Sequence, residues 1–240
     1  MEVPHHSHGH SSSKNWKSYV GEFLMLFFAV FSGFIAENLR ENYVEKERAH
    51  QYISSMVADL KKDTLQLQLV INGNKKLMKG IDSLLFYLRT QPSNETNKKL
   101  YIYSSSVGAS LLFEGESGTM AQLKNAGGLR LIKDTASVNK IASYDQFNEV
   151  IKKQGDAYYR STLELLTLIE GVMDFSVAQA ADSAKNPVFF IDRDPVKLRL
   201  LYNKSFIQKR IIMNYSANLG QQKKQGDMAI AVLRKNYHLK

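Results

Sequence analysis

Residues 18–36, SYVGEFLMLFFAVFSGFIA, are a run of nineteen residues in which Glu22 is the only charge. At 1.5 Å per residue, a helix of this length covers roughly 28 Å, close to the hydrocarbon thickness that a single span must cross. The sequence therefore predicts one transmembrane helix over 18–36. Trp16 and Tyr19 before the run and Tyr43 after it supply amphipathic rings for the two interfaces. A cleaved signal peptide is the competing reading, because Lys14 and Lys17 precede the run as a basic segment would. Two features disfavour it. Phe34 stands two residues before Ala36, where a cleavage site needs a small side chain, and the run continues without Pro or Gly into AENLRENYVEKERAHQYISSMVADLKKD.

Beyond the span, Ile53, Val57, Leu60, Thr64, Leu67, Ile71, Asn74, Met78, Ile81, Leu85 and Leu88 alternate spacings of four and three, and only two of the eleven are polar. Such a seam belongs to a helix packed against others in a coiled coil or long bundle, with Lys61, Lys62, Lys75 and Lys76 on its other faces. Gly73 and Gly80 are points where it is expected to bend. Pro92 and the polar SNETN that follows predict its end near Thr90.

For residues 94–134 a helix over LYIYSSSVGASLLF is favoured over a strand, which would lack a partner in an otherwise helical chain. SGTMAQLKNAGGLRLIKD then reads as a short helix stopped at Gly127 and Gly128, and Asp134 as the cap of the next. That next helix is expected from about Thr135 to Ala184, with Tyr158 or Tyr159, Thr162, Leu166, Ile169, Met173, Ser176 and Ala180 at helical spacing and a break at Gly155. KNPVFFIDRDP reads as a loop, with Asp194 and Pro195 starting the final helix, which runs to about Asn236. The seam of that helix (Leu201, Ile212, Tyr215, Leu219, Ala229, Leu233) is sparser and broken at Gln222 and Gly226. The resulting architecture is all-α. Residues 1–17 are a disordered His-rich tail, 18–36 the transmembrane helix, and 37–240 a long-helix bundle or coiled-coil-like domain outside the lipid.

Chemistry is sparse in this sequence. There is no cysteine, which removes disulfides, thiolate metal sites and cysteine nucleophiles. His5, His6, His8 and His10 form a candidate site for Zn, Ni or Cu, but the Ser and Gly residues around them do nothing to make the imidazoles converge. Asp59 and Asp63, four residues apart, are candidate ligands for a divalent cation; two such carboxylates are more often solvated on an exposed helical face. No Walker loop, dinucleotide fingerprint, nucleophile elbow or metalloprotease motif is present, so neither catalysis nor a cofactor is expected.

The net charge of +9 is concentrated at one end. From Lys197 onward there are ten Lys and Arg against Asp227 alone, so residues 1–196 balance to zero. An anionic surface is a candidate partner for that basic helix, and nucleic acid is not expected. Within the span, Glu22, Ala29, Ser32, Gly33 and Ala36 share one face, whose small residues allow close approach of a second helix.

The combination of a His-rich start, EFLMLFFAVFSGFIAENLREN, YVEKERAHQYISSMVADLKKDT and SGTMAQLKNAGGLRLIKD resembles a family of uncharacterised single-pass membrane proteins of Bacteroidota. The resemblance implies membrane anchorage and a helical domain and carries over no catalytic residue. The expected role is a membrane-anchored structural or interaction protein in the bilayer of the cell inner membrane, either homo-oligomeric or docked on other membrane proteins. The alternative is a membrane-active subunit or sensor that uses Glu22 for proton or ion movement, or the helical domain for ligand binding. Lys14 and Lys17 on one side nearly balance Arg40, Lys46 and Arg48 on the other; Glu37, Glu41, Glu45 and Glu47 tip the expectation to a periplasmic C-terminal domain.

Overall fold

The computed structural model describes residues 16–177 and 188–239. Among them are five α-helices: α1 (Trp16–Tyr87), α2 (Asn94–Ser106), α3 (Gly118–Asn125), α4 (Thr135–Glu170) and α5 (Pro195–Asn236). A short 3-10 turn, Gly128–Leu131, lies between α3 and α4, and the one β feature is an isolated bridge between Met173 and Phe190. The fold is all-α, as the periodicities require. The chain divides into two compact units, Met1–Ala49 and His50–Lys240.

In the first unit, every residue of α1 from Trp16 to Tyr43 is exposed. The Phe23, Phe27 and Phe31 rings stack along one side, with centroids 6.3 and 5.8 Å apart. Arg40 closes a fork on Glu37, Nε to Oε2 at 2.9 Å and Nη2 to Oε1 at 2.5 Å. Leaving the phenylalanines, Leu24, Leu26 and Ile35 in water forfeits on the order of 10–20 kcal/mol, as much as a whole domain's net stability. Water is a poor solvent for this face. α1 is the one helix among the described residues that is long and apolar enough to cross a membrane.

The second unit is a bundle of three long helices. The ten seam positions of α1 from Ile53 to Leu85, and Leu88 just past its end, are buried or half-buried, while Lys61, Lys62, Lys75 and Lys76 are exposed. α4 repeats the same spacing from Ser137 through Ile141, Tyr144, Asn148, Ile151, Gly155, Tyr158, Thr162 and Leu165 to Ile169. Cross-helix contacts fix the directions. Asp63 meets Tyr144 and Asn74 meets Tyr158, so α1 and α4 run parallel. Thr162 meets Gln208 and Tyr144 meets Gln222, so α5 runs antiparallel to both.

Two parallel helices need a return between them, and residues 88–134 provide it. The path descends along α1: Tyr103 stacks on Tyr87 at 5.8 Å, Val107 lies beside Gly80, Leu111 beside Gly73 and Gly128 beside Tyr52. α2 accounts for only the first part of this descent. From Val107 to Ser117 the chain is neither helix nor strand, where the sequence favours helix through Phe113. α1 passes Gly73 and Gly80 without interruption. Gly73 instead makes room for the return segment: a Cβ there would lie 2.4 Å from Leu111 Cδ1.

The helix starts follow the sequence signals. Ser93 Oγ accepts from Thr96 N at 3.1 Å, Asp134 Oδ2 from Ser137 N at 2.6 Å and Asp194 Oδ1 from Val196 N at 2.8 Å, each worth about 1 kcal/mol. Two expectations are corrected here. α4 continues unbroken through Gly155 and ends at Glu170 rather than near Ala184. Gly171 N bonds back to Thr167 O, and the following residues pair with residues further along the chain, Ile191 N to Val172 O at 3.0 Å and Asp174 N to Phe189 O at 3.0 Å, which draws them out of the helix. The expected seam residue Ala180 lies outside the described residues, and Ser176 is exposed. The seam of α5 is not broken: Leu201, Ser205, Gln208, Ile212, Tyr215, Leu219, Gln222, Gly226, Ala229 and Leu233 are all buried at alternating spacings of four and three.

Candidate functional site

The segment Val107–Ser117 has no ladder and no helix to satisfy its backbone, and side chains of the three long helices bond three of its backbone groups. We call this segment the strap. Phe113 N donates to Tyr215 Oη on α5 at 3.0 Å, and Glu116 N donates to Asp63 Oδ1 on α1 at 2.8 Å. Ala109 O accepts from Tyr158 on α4 at 3.4 Å. Tyr158 and Tyr215 pack against each other with ring centroids 5.6 Å apart. Each such bond contributes about 1 kcal/mol net, and more where a charge takes part.

Asp63 is 1% exposed, and its second oxygen accepts from Tyr144 Oη at 2.8 Å. The sequence reading of Asp59 and Asp63 as a solvated pair is therefore corrected for Asp63, which lies one residue before the seam position Thr64 and is turned inward to the strap. Burial raises its carboxyl above the ordinary range, the nearby Glu116 and Asp59 charges add to the effect, and its two hydrogen bonds partly oppose it. Burial also raises all three phenols, Tyr158 to about 12, so they remain protonated donors at neutral pH. None is poised as a nucleophile or base.

Between the strap and α4 lies a cleft of about 430 Å³. One wall is Leu112, Phe113, Glu114, Gly115 and Ser117; the other is Asn148, Glu149, Lys152, Gly155 and Asp156, with Tyr215 behind them. A more open hollow of about 570 Å³ lies at the start of α5, between Leu88, Arg89, Pro195, Leu198, Arg199 and Tyr202.

The residues singled out in the sequence are dispersed. His5, His6, His8 and His10 lie outside the described residues. No group of three or more His, Asp or Glu able to hold a metal ion occurs among the described residues. Glu22, Ala29, Ser32, Gly33 and Ala36 are all exposed on α1, and a Cβ built on Gly33 meets nothing within 4 Å. Of the basic residues of α5, Lys197 pairs with Asp192, Lys204 with Glu164, Lys209 with Asp82 and Lys223 with Asp227. Lys204 thus joins α5 to α4 and Lys209 joins it to α1, whereas the Lys223–Asp227 pair lies within α5. The strap and its tyrosines had one sequence signal, phenol rings at seam positions of α4 and α5, where each hydroxyl demands a partner. No family model, curated protein or solved structure matches this chain.

Proposed function

We propose that this chain is a non-catalytic, single-pass protein of the cell inner membrane whose helical domain serves as a structural or interaction module. Its span assembles with a second copy, or docks on a larger membrane complex, through Glu22, Ala29, Ser32, Gly33 and Ala36. The observation that supports this reading is the contrast within α1. Trp16–Tyr43 is apolar and exposed throughout, whereas the seam from Ile53 to Leu88 is covered by its own domain. The exposed part therefore has its partner in lipid or in another helix. The resemblance of EFLMLFFAVFSGFIAEN to the Bacteroidota membrane family supports the same anchorage, and the acidic residues after the span support a periplasmic domain.

Crosslinking in native membranes and native mass spectrometry in detergent test the assembly. Wild type is expected to be oligomeric and Gly33→Leu to be dispersed, with Glu22→Gln deciding whether the carboxylate takes part. A wild type that is monomeric in native membranes overturns the reading. Impermeant maleimide labelling at Ser13→Cys and Gln91→Cys reads the orientation; Gln91 is exposed and, unlike Ser93, caps no helix.

A further inference from the structure

We propose that the hollow at the start of α5 binds a small ligand that carries an oxyanion, a carboxylate or a phosphate ester, on an apolar body. The site lies wholly within the second unit and does not depend on how the span assembles. Its volume, about 570 Å³, falls in the range of small-molecule pockets.

The floor is apolar and already in place. Leu88, just past the end of α1, and Leu198 and Tyr202 of α5 are half-buried and pack against the bundle core. Pro195, in the first turn of α5, stiffens the remaining edge. A surface that is ordered beforehand loses less free energy on binding than one that must first fold.

The rim supplies two cations. Arg89 and Arg199 line the hollow, both are exposed, and neither has a hydrogen bond or ion pair among the described residues. Arg89 is held from one side only: its guanidinium carbon lies 5.9 Å from the centre of the Tyr202 ring, a cation–π contact that uses the ring face and none of the N–H donors. The same Arg89 and Tyr202 border a second hollow of about 400 Å³, so protein does not cover the guanidinium.

No carboxylate is among the described lining residues. The acids nearest in sequence are engaged elsewhere, Asp192 by the Lys197 ammonium and Asp194 by the Val196 N–H that it caps. Two positive charges therefore stand over an apolar floor without a neutralising group. A planar guanidinium fork matches the paired oxygens of a carboxylate or phosphate, and Leu88, Pro195 and Leu198 suit the apolar body attached to it.

The test titrates ligands into the full chain in neutral detergent micelles by ligand-observed NMR, with protein-free micelles as the blank. Hydrocinnamate and phenyl phosphate carry both features, acetate the oxyanion alone and hydrocinnamyl alcohol the apolar body alone. At least one of the first two is expected to bind at about millimolar concentration, the tighter of them identifying the oxyanion, and acetate and the alcohol at least about tenfold more weakly. The double variant Arg89→Gln, Arg199→Gln changes two exposed side chains and is expected to weaken the tighter probe about tenfold while leaving the alcohol unchanged. Arg210→Gln, exposed on α5 and outside the hollow, controls for net charge and is expected to leave binding unchanged. The proposal is overturned if neither anionic probe binds, if acetate or the alcohol matches the tighter one, if the double variant binds like wild type, or if Arg210→Gln weakens binding as much as the double variant does.

Discussion

The Asp63 carboxylate and the Tyr144 hydroxyl lie 2.8 Å apart inside the bundle, and the other oxygen of the same carboxylate holds the backbone of Glu116. One side chain of α1 thus joins α4 to the strap. Asp63→Ala leaves a buried hydroxyl and a part-buried N–H without an acceptor, each costing about 1–3 kcal/mol, so a loss of about 2–6 kcal/mol is expected. Thermal melts followed by circular dichroism measure it, and a loss below about 1 kcal/mol shows that the strap holds without Asp63.

The same carboxyl makes the stability pH-dependent with an unusual sign. Its folded pKa is raised above the ordinary value of 3.8, so the folded chain holds this proton more tightly than the unfolded one. The associated stability is present below that ordinary value and is lost as pH rises through the folded pKa. Glu164 and Asp192, lowered by Lys204 and Lys197 respectively, act in the opposite sense and hide the effect in a single profile. The difference in melting temperature between wild type and Asp63→Asn, measured from pH 3.5 upward, isolates it. The difference should move against wild type as pH rises above the ordinary value of 3.8 and through the folded pKa. A flat difference contradicts the burial of a titrating carboxyl.

Two glycines of α5 should respond with opposite signs to the same substitution. Gly220 is exposed, and a Cβ there meets nothing within 4 Å, so Gly220→Ala should stabilise by about 0.5–1 kcal/mol through helix propensity. At Gly226 a Cβ would lie 2.9 Å from Thr64 Cγ2 and 3.2 Å from the Tyr144 ring. Thr64 is branched at Cβ and cannot swing its methyl aside freely, so Gly226→Ala should destabilise by about 1–3 kcal/mol. Melts of the two variants side by side check this, and equal shifts would mean that α1 and α5 are not in close contact at Gly226.

Gln208 donates to Thr162 Oγ1 at 2.8 Å, but its own carbonyl oxygen is buried without a partner. Thr162 still donates to Tyr158 O at 3.0 Å when Gln208 is removed. Gln208→Met keeps the volume and removes the orphaned acceptor, so the bundle should be unchanged or more stable by about 1 kcal/mol. Chemical denaturation reads this directly. A loss of more than about 1 kcal/mol would show that the amide contributes more than the orphaned oxygen costs.

What could be read beforehand was whatever repeats along a helix. The α1 seam, the caps Asp134 and Asp194 and the end of α5 at Asn236 follow from spacing and local hydrogen-bond chemistry. Gln222 and Gly226 looked like interruptions because periodicity scores a polar or absent side chain as a gap. Here Gln222 Nε2 donates to Tyr144 O at 3.0 Å, and the bare Gly226 lets Thr64 approach. Asp63 and the strap were illegible for a related reason. A charge beside a seam reads as solvated unless its partners are known, and those partners, Glu116 and Tyr144, stand 53 and 81 residues away. The early end of α4 depends likewise on Ile191 and Phe189, further along the chain.

The parallel course of α1 and α4, with α5 last in sequence, also sets an order of events during synthesis. The seam from Ile53 to Leu88 leaves the ribosome first, and the helix that completes its cover, Pro195–Asn236, leaves last. At about 5–20 residues per second, the roughly 150 residues from Leu88 to Asn236 take on the order of ten seconds to make. α4 and α5 are antiparallel, so they can close as a hairpin as soon as both exist, whereas the α1–α4 contacts Asp63–Tyr144 and Asn74–Tyr158 must close 81 and 84 residues of chain. A codon-level pause ahead of Pro195 therefore lengthens the time in which the α1 seam stands open to proteases and chaperones, with no change to any residue of the finished protein.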